Sequence, residues 1–410
     1  MSLLNDLSDF AIWEKYRNYK MSGQHISKYE LQKLDKFIAD KRYLYYAEHI
    51  FDEKIPFDYP VKRTVNKSGT DKKRVVYTYS DDEMMVLKLI MYRLRKYENR
   101  LSPSCYSFRS NKTVKGAIRR IITSSYVHNS YIYKADIHNY FNSMDVERLI
   151  QSVSEVIDDD SELVVFLSKL LRVNKAYDTE GHIIEEARGG MAGIPISPFF
   201  ANVYLKTLDD MFSEVPYYRY SDDILIFAPD KASLDSNIAK FENAISIAQL
   251  ELNPDKISVT EPGMPWEFLG FKYCNGKMDI SDVAMNKIKA KIKRKAAKLY
   301  RWRCKKDVSF DSTAKVMIRV FNRKFYGCFE TEESDDETDD FTWCRWFFPV
   351  IDTADSLKII DEYLIEYIRY LSSGRHYKGN YRITYEHIKD LGFRSLVNEY
   401  YRYKEEKHAS

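Results

Sequence analysis

At 410 residues the chain is long enough for one large core or several subdomains, and 64 Lys+Arg against 61 Asp+Glu leave a net charge of only +3. That balance excludes a bulk polycation and moves attention to where the charges fall. The five cysteines are odd in number and form no C-x-x-C pair, which argues against a zinc site or a disulfide framework and implies reduced thiols in a cytoplasmic setting. Asp6, Asp9, Glu14 and Lys15 interrupt any cleavable-signal pattern. No apolar run approaches the roughly 18 residues of a membrane span, so no membrane partner is expected.

Residues 1–60 mix charged and aromatic positions and predict helices, with breaks near Gly23 and Pro56. Residues 61–79 predict a hairpin: Val61 to Val65, a turn at Asn66-Lys67-Ser68-Gly69, then Arg74 to Tyr79. A helix from about Asp82 to Arg100 follows, because Met84, Leu87, Ile90, Met91 and Leu94 recur at helical spacing. Thr113 to Ser125 predicts another helix, and Tyr131 to Ala135 a strand ending in Asp136. Asp145 is placed to cap a helix through Val156, and residues 161–174 are apolar and helical. Gly189, Gly190 and Gly193 mark a turn where backbone approaches something closely. Ser197-Pro198 predicts a helix start, Ser as N-cap and Pro at N1, with Phe199, Phe200, Val203, Tyr204, Leu208 and Met211 as core.

Gly263 and Pro265 precede a turn at Phe268, and from Ser281 the chain reads as helical. Residues 286–306 hold eleven Lys or Arg and no acid, with Ile288, Ile292 and Leu299 on one face. That pattern suits a docked helix offering charge to a phosphate backbone; the bland reading is a solvated face. The acidic run from Glu330 to Asp340 reads as a solvated loop, and Leu357 to Ile368 as an amphipathic helix. The 33 tyrosines are spread along the whole chain, which favours packing over base stacking as their main use.

The chemistry concentrates at Tyr220-Ser221-Asp222-Asp223. Strand-like runs flank it, Tyr217 to Tyr220 and Ile224 to Ala228, so the acids sit at a hairpin tip. Adjacent carboxylates repel, and a divalent cation relieves that repulsion. The other acid pairs, Asp81-Asp82, Asp158 to Asp160, Asp209-Asp210, Asp335-Asp336 and Asp339-Asp340, lack strand-like flanks and read as solvated. Asp136 at its strand end supplies a third carboxylate. A strand-end aspartate with a hairpin bearing two more is what two-metal phosphoryl transfer needs, and Mg²⁺ favours a few carboxylates plus substrate phosphates.

These residues resemble the reverse transcriptases. Asp136-Ile137-His138-Asn139-Tyr140-Phe141 is similar to the family's first palm motif, Gly193 to Asn202 to its second, and Tyr220 to Asp223 is its Tyr-x-Asp-Asp box. Leu252-Asn253-Pro254-Asp255-Lys256 resembles the motif with a lysine near the leaving pyrophosphate, and Phe268-Leu269-Gly270-Phe271 the primer grip. Lys67 and Arg74 have the spacing of the fingers residues that hold the triphosphate, and Ser107-Phe108-Arg109 is similar to a fingers motif of the bacterial branch. The motifs come in family order over residues 60 to 280, roughly. Ala192 departs from the Gln that many members carry there. The spacing from the box onward, with Trp343 to Pro349 and Ser395 to Tyr401, is most similar to the defence-associated reverse transcriptases of class 2. Retron and group II intron enzymes are the nearest alternatives.

The resemblance implies an α+β right-hand polymerase with fingers, an antiparallel-sheet palm and a helical thumb. It divides the chain into an N-terminal extension and fingers (1–115), a palm (116–280) with a fingers insertion at about 157–192, and a thumb with the C-terminal region (281–410). It implies an RNA-directed DNA polymerase that makes cDNA from dNTPs on an RNA template, in antiphage defence on a structured non-coding RNA. Asp136, Asp222 and Asp223 would be catalytic and hold two Mg²⁺ ions, with the backbone carbonyl of Ile137. Lys67, Arg74, Phe141, Gly193, Tyr220 and Lys256 would meet the nucleotide. Phe141 would sit beneath the sugar and exclude a 2′-hydroxyl, and Lys256 would protonate pyrophosphate. Arg109, Phe268, Gly270, Lys291, Lys295 and Lys298 would meet nucleic acid. Bland readings stand beside these: core packing for Phe141, a carboxylate partner for Arg109, a surface amine for Lys256. The rival functions are an RNA polymerase or a template-independent nucleotidyl transferase on the same palm, and an RNA-binding scaffold with a decayed one.

Overall fold

The computed structural model describes residues 2–22, 26–66, 73–186, 189–327 and 342–409, so Lys67 and the run from Glu330 to Asp340 lie outside the described residues. The chain divides into two compact units, with the division between Met264 and Pro265 in the sequence.

The first unit opens with α1 (Phe10–Ser22), α2 (Lys28–Ala39) and α3 (Tyr43–His49), gathered on buried Trp13, Phe37 and Tyr43. Strands β1 (Val61–Asn66) and β2 (Lys73–Thr78) form the expected hairpin, pairing Val65 with Arg74. Ser80 and Glu83 close a capping box on α4 (Asp81–Leu94), which continues as a 3₁₀ turn through Arg100. After α5 (Val114–Ile122) comes β3 (Tyr131–Asp136), a short helix α6 (Tyr140–Ser143), and α7 (Val146–Val156), capped by the Asp145 side chain as expected. Helix α8 (Ser161–Arg172) leads to β4 (Lys175–Tyr177) and β5 (Ile183–Glu185), which extend the first sheet in the order β2-β1-β4-β5.

Helix α9 (Ser197–Tyr204) starts where the sequence predicts, but its cap differs. Ile196 is the N-cap, and the buried Ser197 hydroxyl donates to the Met191 carbonyl in the glycine loop. Helix α10 (Lys206–Met211) ends at Met211, which is therefore 40% exposed rather than core. Strands β6 (Tyr217–Tyr220) and β7 (Asp223–Ala228), helix α11 (Lys231–Ile247) and β8 (Ser258–Thr260) complete the unit. The central sheet runs β6-β7-β3-β8 and is antiparallel throughout. Ile224 to Ala228 are all buried, because α11 packs on this strand and β6 and β3 pair with its two edges.

The second unit begins with an antiparallel sheet of β9 (Trp266–Phe268), β10 (Phe271–Cys274) and β11 (Lys277–Ile280). Helices α12 (Asp282–Lys306), α13 (Phe310–Tyr326), α14 (Trp343–Phe347), α15 (Asp355–Ser373), α16 (Tyr385–Asp390) and α17 (Leu396–Ala409) follow. Helix α12 buries Met285, Ile288, Ile292, Ala296 and Leu299 and packs on α15 and α13. The α+β class with an antiparallel central sheet is thus the one found, while the hairpin sheet joins β1 to β4 in parallel. No helix among the described residues is long and apolar enough to cross a membrane.

Candidate active site

Strand pairing brings the three expected acids together. The register sets Asp136 of β3 directly opposite Asp223 of β7, and Asp223 opposite Tyr220 of β6. Asp222 stands at the tip beside Ser221, whose φ of +59° carries the chain through the left-handed region that a turn this tight requires. The Ile137 N–H donates to the Asp222 carbonyl at 3.1 Å, which clamps the tip to the end of β3. On the other side, His138 N–H donates to the Glu251 carbonyl at 2.8 Å and Asn253 N–H to the Asp136 carbonyl at 2.8 Å. These two bonds flank Ile137 and leave its carbonyl out of the pairing.

Asp136 is 4% exposed. Its carboxylate accepts from Lys256 Nζ at 2.5 Å and from Asn253 Nδ2 at 3.4 Å. Burial, then the Asp136 charge, raises the Asp222 carboxyl above its ordinary range. Burial, then Asp222 and Asp136, pushes Asp223 up to about 6. Burial works against the Lys256 charge, but the Asp136 bond and the three carboxylates outweigh it and hold the ammonium above its usual value. Lys256 and the nearby Lys134 do not match three carboxylates, so the cluster stays net negative. Among the described residues no group of three or more His, Cys, Asp or Glu is already set at metal-ligand spacing. The donor set nonetheless fits a hard divalent cation: carboxylate oxygens held close by register, costly to charge together, with an ammonium already drawn onto one of them.

Beneath the tip lies a network that sequence reasoning missed. Arg219 is fully buried and forks onto Asp209, Nε to Oδ1 at 2.7 Å and Nη2 to Oδ2 at 2.6 Å. Tyr217 donates to the same carboxylate at 2.9 Å. Arg219 Nη1 also reaches the Ser221 carbonyl at 3.2 Å, and Nη2 the Asn202 carbonyl at 3.3 Å. Asp209 is therefore a core residue, not half of a solvated acid pair. The available signal was an arginine inside a run of buried strand residues, since a buried guanidinium demands a carboxylate.

A row of side chains runs from the β1–β2 hairpin to the tip. The Arg74 guanidinium lies over the Phe141 ring at 5.3 Å, Phe108 meets Phe141 edge-on at 6.4 Å, and Phe108 lies 6.0 Å from the Tyr220 ring. Phe108 has φ +54° and is 40% exposed; the sequence marked its motif but gave it no role. Lys62, another cation on the hairpin, pairs with Glu186 at 2.7 Å. The glycine loop is strung between α6 and β2. Gly190 N–H donates to the Phe141 carbonyl at 2.7 Å and Ala192 N–H to Asn142 Oδ1 at 2.9 Å, while Tyr77 N–H donates to the Ala192 carbonyl at 2.7 Å. Gly193 has φ +108°, and a Cβ there would stand 2.7 Å from the Tyr77 carbonyl oxygen. The backbone approach expected of these glycines is thus to β2. Ala192 is buried and acts through its backbone.

Arg109 donates to the carbonyls of Ser102 at 2.7 Å and Glu98 at 2.7 Å, which staples its own loop. In the second unit, Phe268 is buried, and Leu269 (φ +52°) and Gly270 (φ +88°) turn β9 into β10. Along α12, Lys291 and Lys295 are half-buried and Lys298 is exposed.

Residues 65–273 match the family model described as reverse transcriptase (RNA-dependent DNA polymerase). Among curated proteins, the chain is 26% identical over 157 residues to an uncharacterised 91 kDa protein in cob intron of Schizosaccharomyces pombe. That match covers 38% of this chain and 19% of the relative, so the chain spans about a fifth of that protein. Among solved structures, an apo telomerase from Candida tropicalis, truncated from its C-terminal domain, matches with a TM-score of 0.43 at 14% identity, over 55% of each chain. A telomerase from Candida albicans, in complex with a TWJ fragment of telomeric RNA, matches with a TM-score of 0.42 at 14% identity, over 88% of this chain and 66% of that one.

Proposed function

Since the chain belongs to the reverse transcriptase (RNA-dependent DNA polymerase) family, we propose that it copies RNA into DNA at the cluster of Asp136, Asp222 and Asp223. The observation that carries this reading is the strand register that sets Asp136 against Asp223 with Asp222 at the adjoining tip. The three carboxylates, with the Ile137 carbonyl, would hold two Mg²⁺ ions. Bound there, the ions supply a lower pKa for a 3′-hydroxyl and neutralise triphosphate charge. The 3′-hydroxyl gives up its proton to solvent, and its oxygen bonds to the α-phosphorus of a dNTP as the bond to pyrophosphate breaks. Lys256 stays protonated at neutral pH and suits the role of proton donor to that leaving group. Arg74, exposed and cationic, suits the triphosphate, as charge-assisted bonds from guanidinium to phosphate are strong. Phe141 lies under Arg74, which supports its place beneath the sugar; Tyr220 ends the same row, and Gly193 lies against Val76 and Tyr77 of the strand that carries Arg74. The division into fingers, palm and thumb belongs to this proposal.

Primer extension on an RNA template tests the reading. Asp222→Asn should keep the fold and lose Mg²⁺-dependent synthesis by on the order of 10²–10³-fold or more, the scale of removing one preorganised charge stabiliser. Synthesis at the wild-type rate would sink the assignment.

The finer proposal is a defence-associated enzyme with a dedicated structured RNA as template. It rests on the similarity of Trp343 to Pro349 and Ser395 to Tyr401 to that class. An intron-encoded type has the Schizosaccharomyces pombe likeness in its favour. Sequencing the RNA that co-purifies separates them: one enriched non-intron RNA supports the first, and intron RNA supports the second.

A further inference from the structure

Residues 367–385 of the second unit, between Glu366 and Glu386, contain no acid. The same stretch holds Arg369, Arg375, Lys378 and Arg382 and five tyrosines. It covers the last turns of α15 and the loop that leads to α16. The polymerase chemistry makes no use of that loop.

The loop is pinned to what lies beneath it. Arg303 of α12 donates to the Leu371 and Ser372 carbonyls at 2.7 Å each, and the Tyr300 hydroxyl donates to the Ser373 carbonyl at 3.1 Å. Asn380 is buried. Its Nδ2 donates to the Arg375 carbonyl at 2.6 Å, and its Oδ1 accepts from the Ser372 hydroxyl at 3.2 Å. One buried side chain thus ties the start of the loop to its end. The backbone is set before a partner arrives, so little ordering cost falls on binding.

What the pinned loop displays is aromatic and cationic. Tyr377 is 51% exposed and Tyr381 is 58% exposed. Each ring is supported on one side. Tyr377 lies against Gly379, where a Cβ would stand 2.4 Å from the ring. Tyr381 meets the Arg369 guanidinium at 4.9 Å, and Arg369 Nε is itself held by the Ile383 carbonyl at 3.0 Å. Arg375, Lys378 and Arg382 are exposed, and none has an ion pair among the described residues. The preceding acid in sequence, Glu366, accepts from His376 Nδ1 at 3.2 Å. The loop is rooted on the last turns of α12. Helix α13 starts beside this root and runs about 25 Å to Gly327, so the acidic stretch of sequence joins the described chain at the opposite end of that helix. Exposed rings interleaved with unpaired cations suit unpaired bases and the phosphates between them, whatever the sequence. A duplex hides its base faces and would leave both rings unused.

We propose that the loop between α15 and α16 binds unpaired nucleotides of a single nucleic-acid strand, with bases on Tyr377 and Tyr381 and phosphates on Arg375, Lys378 and Arg382. An RNA template and a DNA product offer the same stacking faces and the same phosphates, so either strand suits the surface. The inference goes beyond the polymerase reading, since binding here requires no nucleotide transfer.

The test uses the full chain with decamers of uridine and of deoxythymidine. Decamers carrying one 5-iodinated base, irradiated and mapped by mass spectrometry, should crosslink within residues 374–384. Tyr377→Ala with Tyr381→Ala should weaken decamer binding by on the order of tenfold or more, the scale of lost base stacks. Tyr377→Phe with Tyr381→Phe should retain most of it. Arg375→Gln, Lys378→Gln and Arg382→Gln together should flatten the salt dependence by about 2 log units per log unit of salt, at about 0.7 for each single-strand phosphate contact. The tighter of the two decamers names the strand. Crosslinks only outside the loop, or equal decamer affinity for wild type and the folded double alanine variant, would overturn the proposal. Displacement of the decamer by an equal concentration of oligoglutamate would overturn it too, and make the surface a protein contact. A wild type that makes DNA without the loop crosslink refutes the loop alone. One that gives the crosslink without making DNA refutes the polymerase reading alone.

Discussion

The acid cluster of the first unit and the basic helix of the second are opposite solutions to concentrating charge. Asp136 and Asp223 are far apart in sequence and meet only because β3 and β7 pair in one register. Their carboxylates are buried or half-buried; Asp222 is pushed up by burial and by Asp136, and Asp223 by burial, Asp222 and Asp136. The eleven cations of residues 286–306 are neighbours in sequence. Helical spacing alone distributes them over α12, and most face solvent. A slip of one residue in a strand turns every side chain to the other face, so the acid site has one working geometry. A helix face loses charge by degrees. Substitutions should therefore act nearly all-or-none in the first region and additively in the second.

The largest effect expected from breaking that contrast is at Arg219. Removing one partner of a buried ion pair costs about 3–5 kcal/mol, so Arg219→Met should lower stability by that order in chemical denaturation. The double variant Arg219→Met with Asp209→Leu should recover most of it, because an apolar pair replaces a buried charge pair at little cost. Synthesis by the double variant should stay reduced, since the Ser221 carbonyl loses its donor. Full synthesis would make the network structural only. Next comes Arg74→Ala, whose lost charge-assisted pair should cost about 1.5–3 kcal/mol in kcat/KM for dNTP; an unchanged value would pass the role to Lys67 or a neighbouring cation. Phe141→Ala should shift the ratio of dNTP to rNTP efficiencies toward ribonucleotide by about tenfold, the scale of discrimination by pocket shape. A constant ratio would make the ring core packing against Phe108 and Arg74.

What the sequence made legible was local and periodic. The hairpin at Asp222, the strand ending at Asp136 and the apolar faces of α12 and α15 follow from patterns of two and of 3.6 residues. The glycine loop was legible as a close approach, because only glycine tolerates the +108° of Gly193. Its partner, the backbone of β2, was not, since nothing in residues 189–193 names a strand more than a hundred positions earlier. The same limit hid Arg219 with Asp209. An acid pair on a short helix looks solvated until tertiary packing turns one member inward. Ser197 failed as a cap for a related reason: its hydroxyl met the Met191 carbonyl first. Arg109 shows the reverse case, a cation with its hydrogen bonds directed to carbonyls of its own loop.

The smallest effect should come from the basic helix. Lys291, Lys295 and Lys298 recur at i, i+4 and i+7 and so share one side of α12. Each phosphate contact releases counterions, and affinity falls by about 0.7–0.9 log units per log unit of salt for every contact. Replacing all three by Gln should flatten the slope by about 2 if all three touch phosphate. Affinity at low salt should drop only modestly, because the remaining cations of the helix still attract the backbone. The three positions should not contribute equally: Lys298 is exposed, whereas Lys291 is half-buried beside Lys324 and the α14 rings. Lys298→Gln alone should thus lower the slope more than Lys291→Gln alone. Single-nucleotide addition on a saturating duplex should be nearly unchanged in the triple variant, as no step of the chemistry is assigned to these amines. Salt-titrated binding reads the slopes directly. A triple variant with the wild-type slope would return the helix to a solvated face, and the contrast with the acid cluster would then lie in what each binds rather than in how finely each is set.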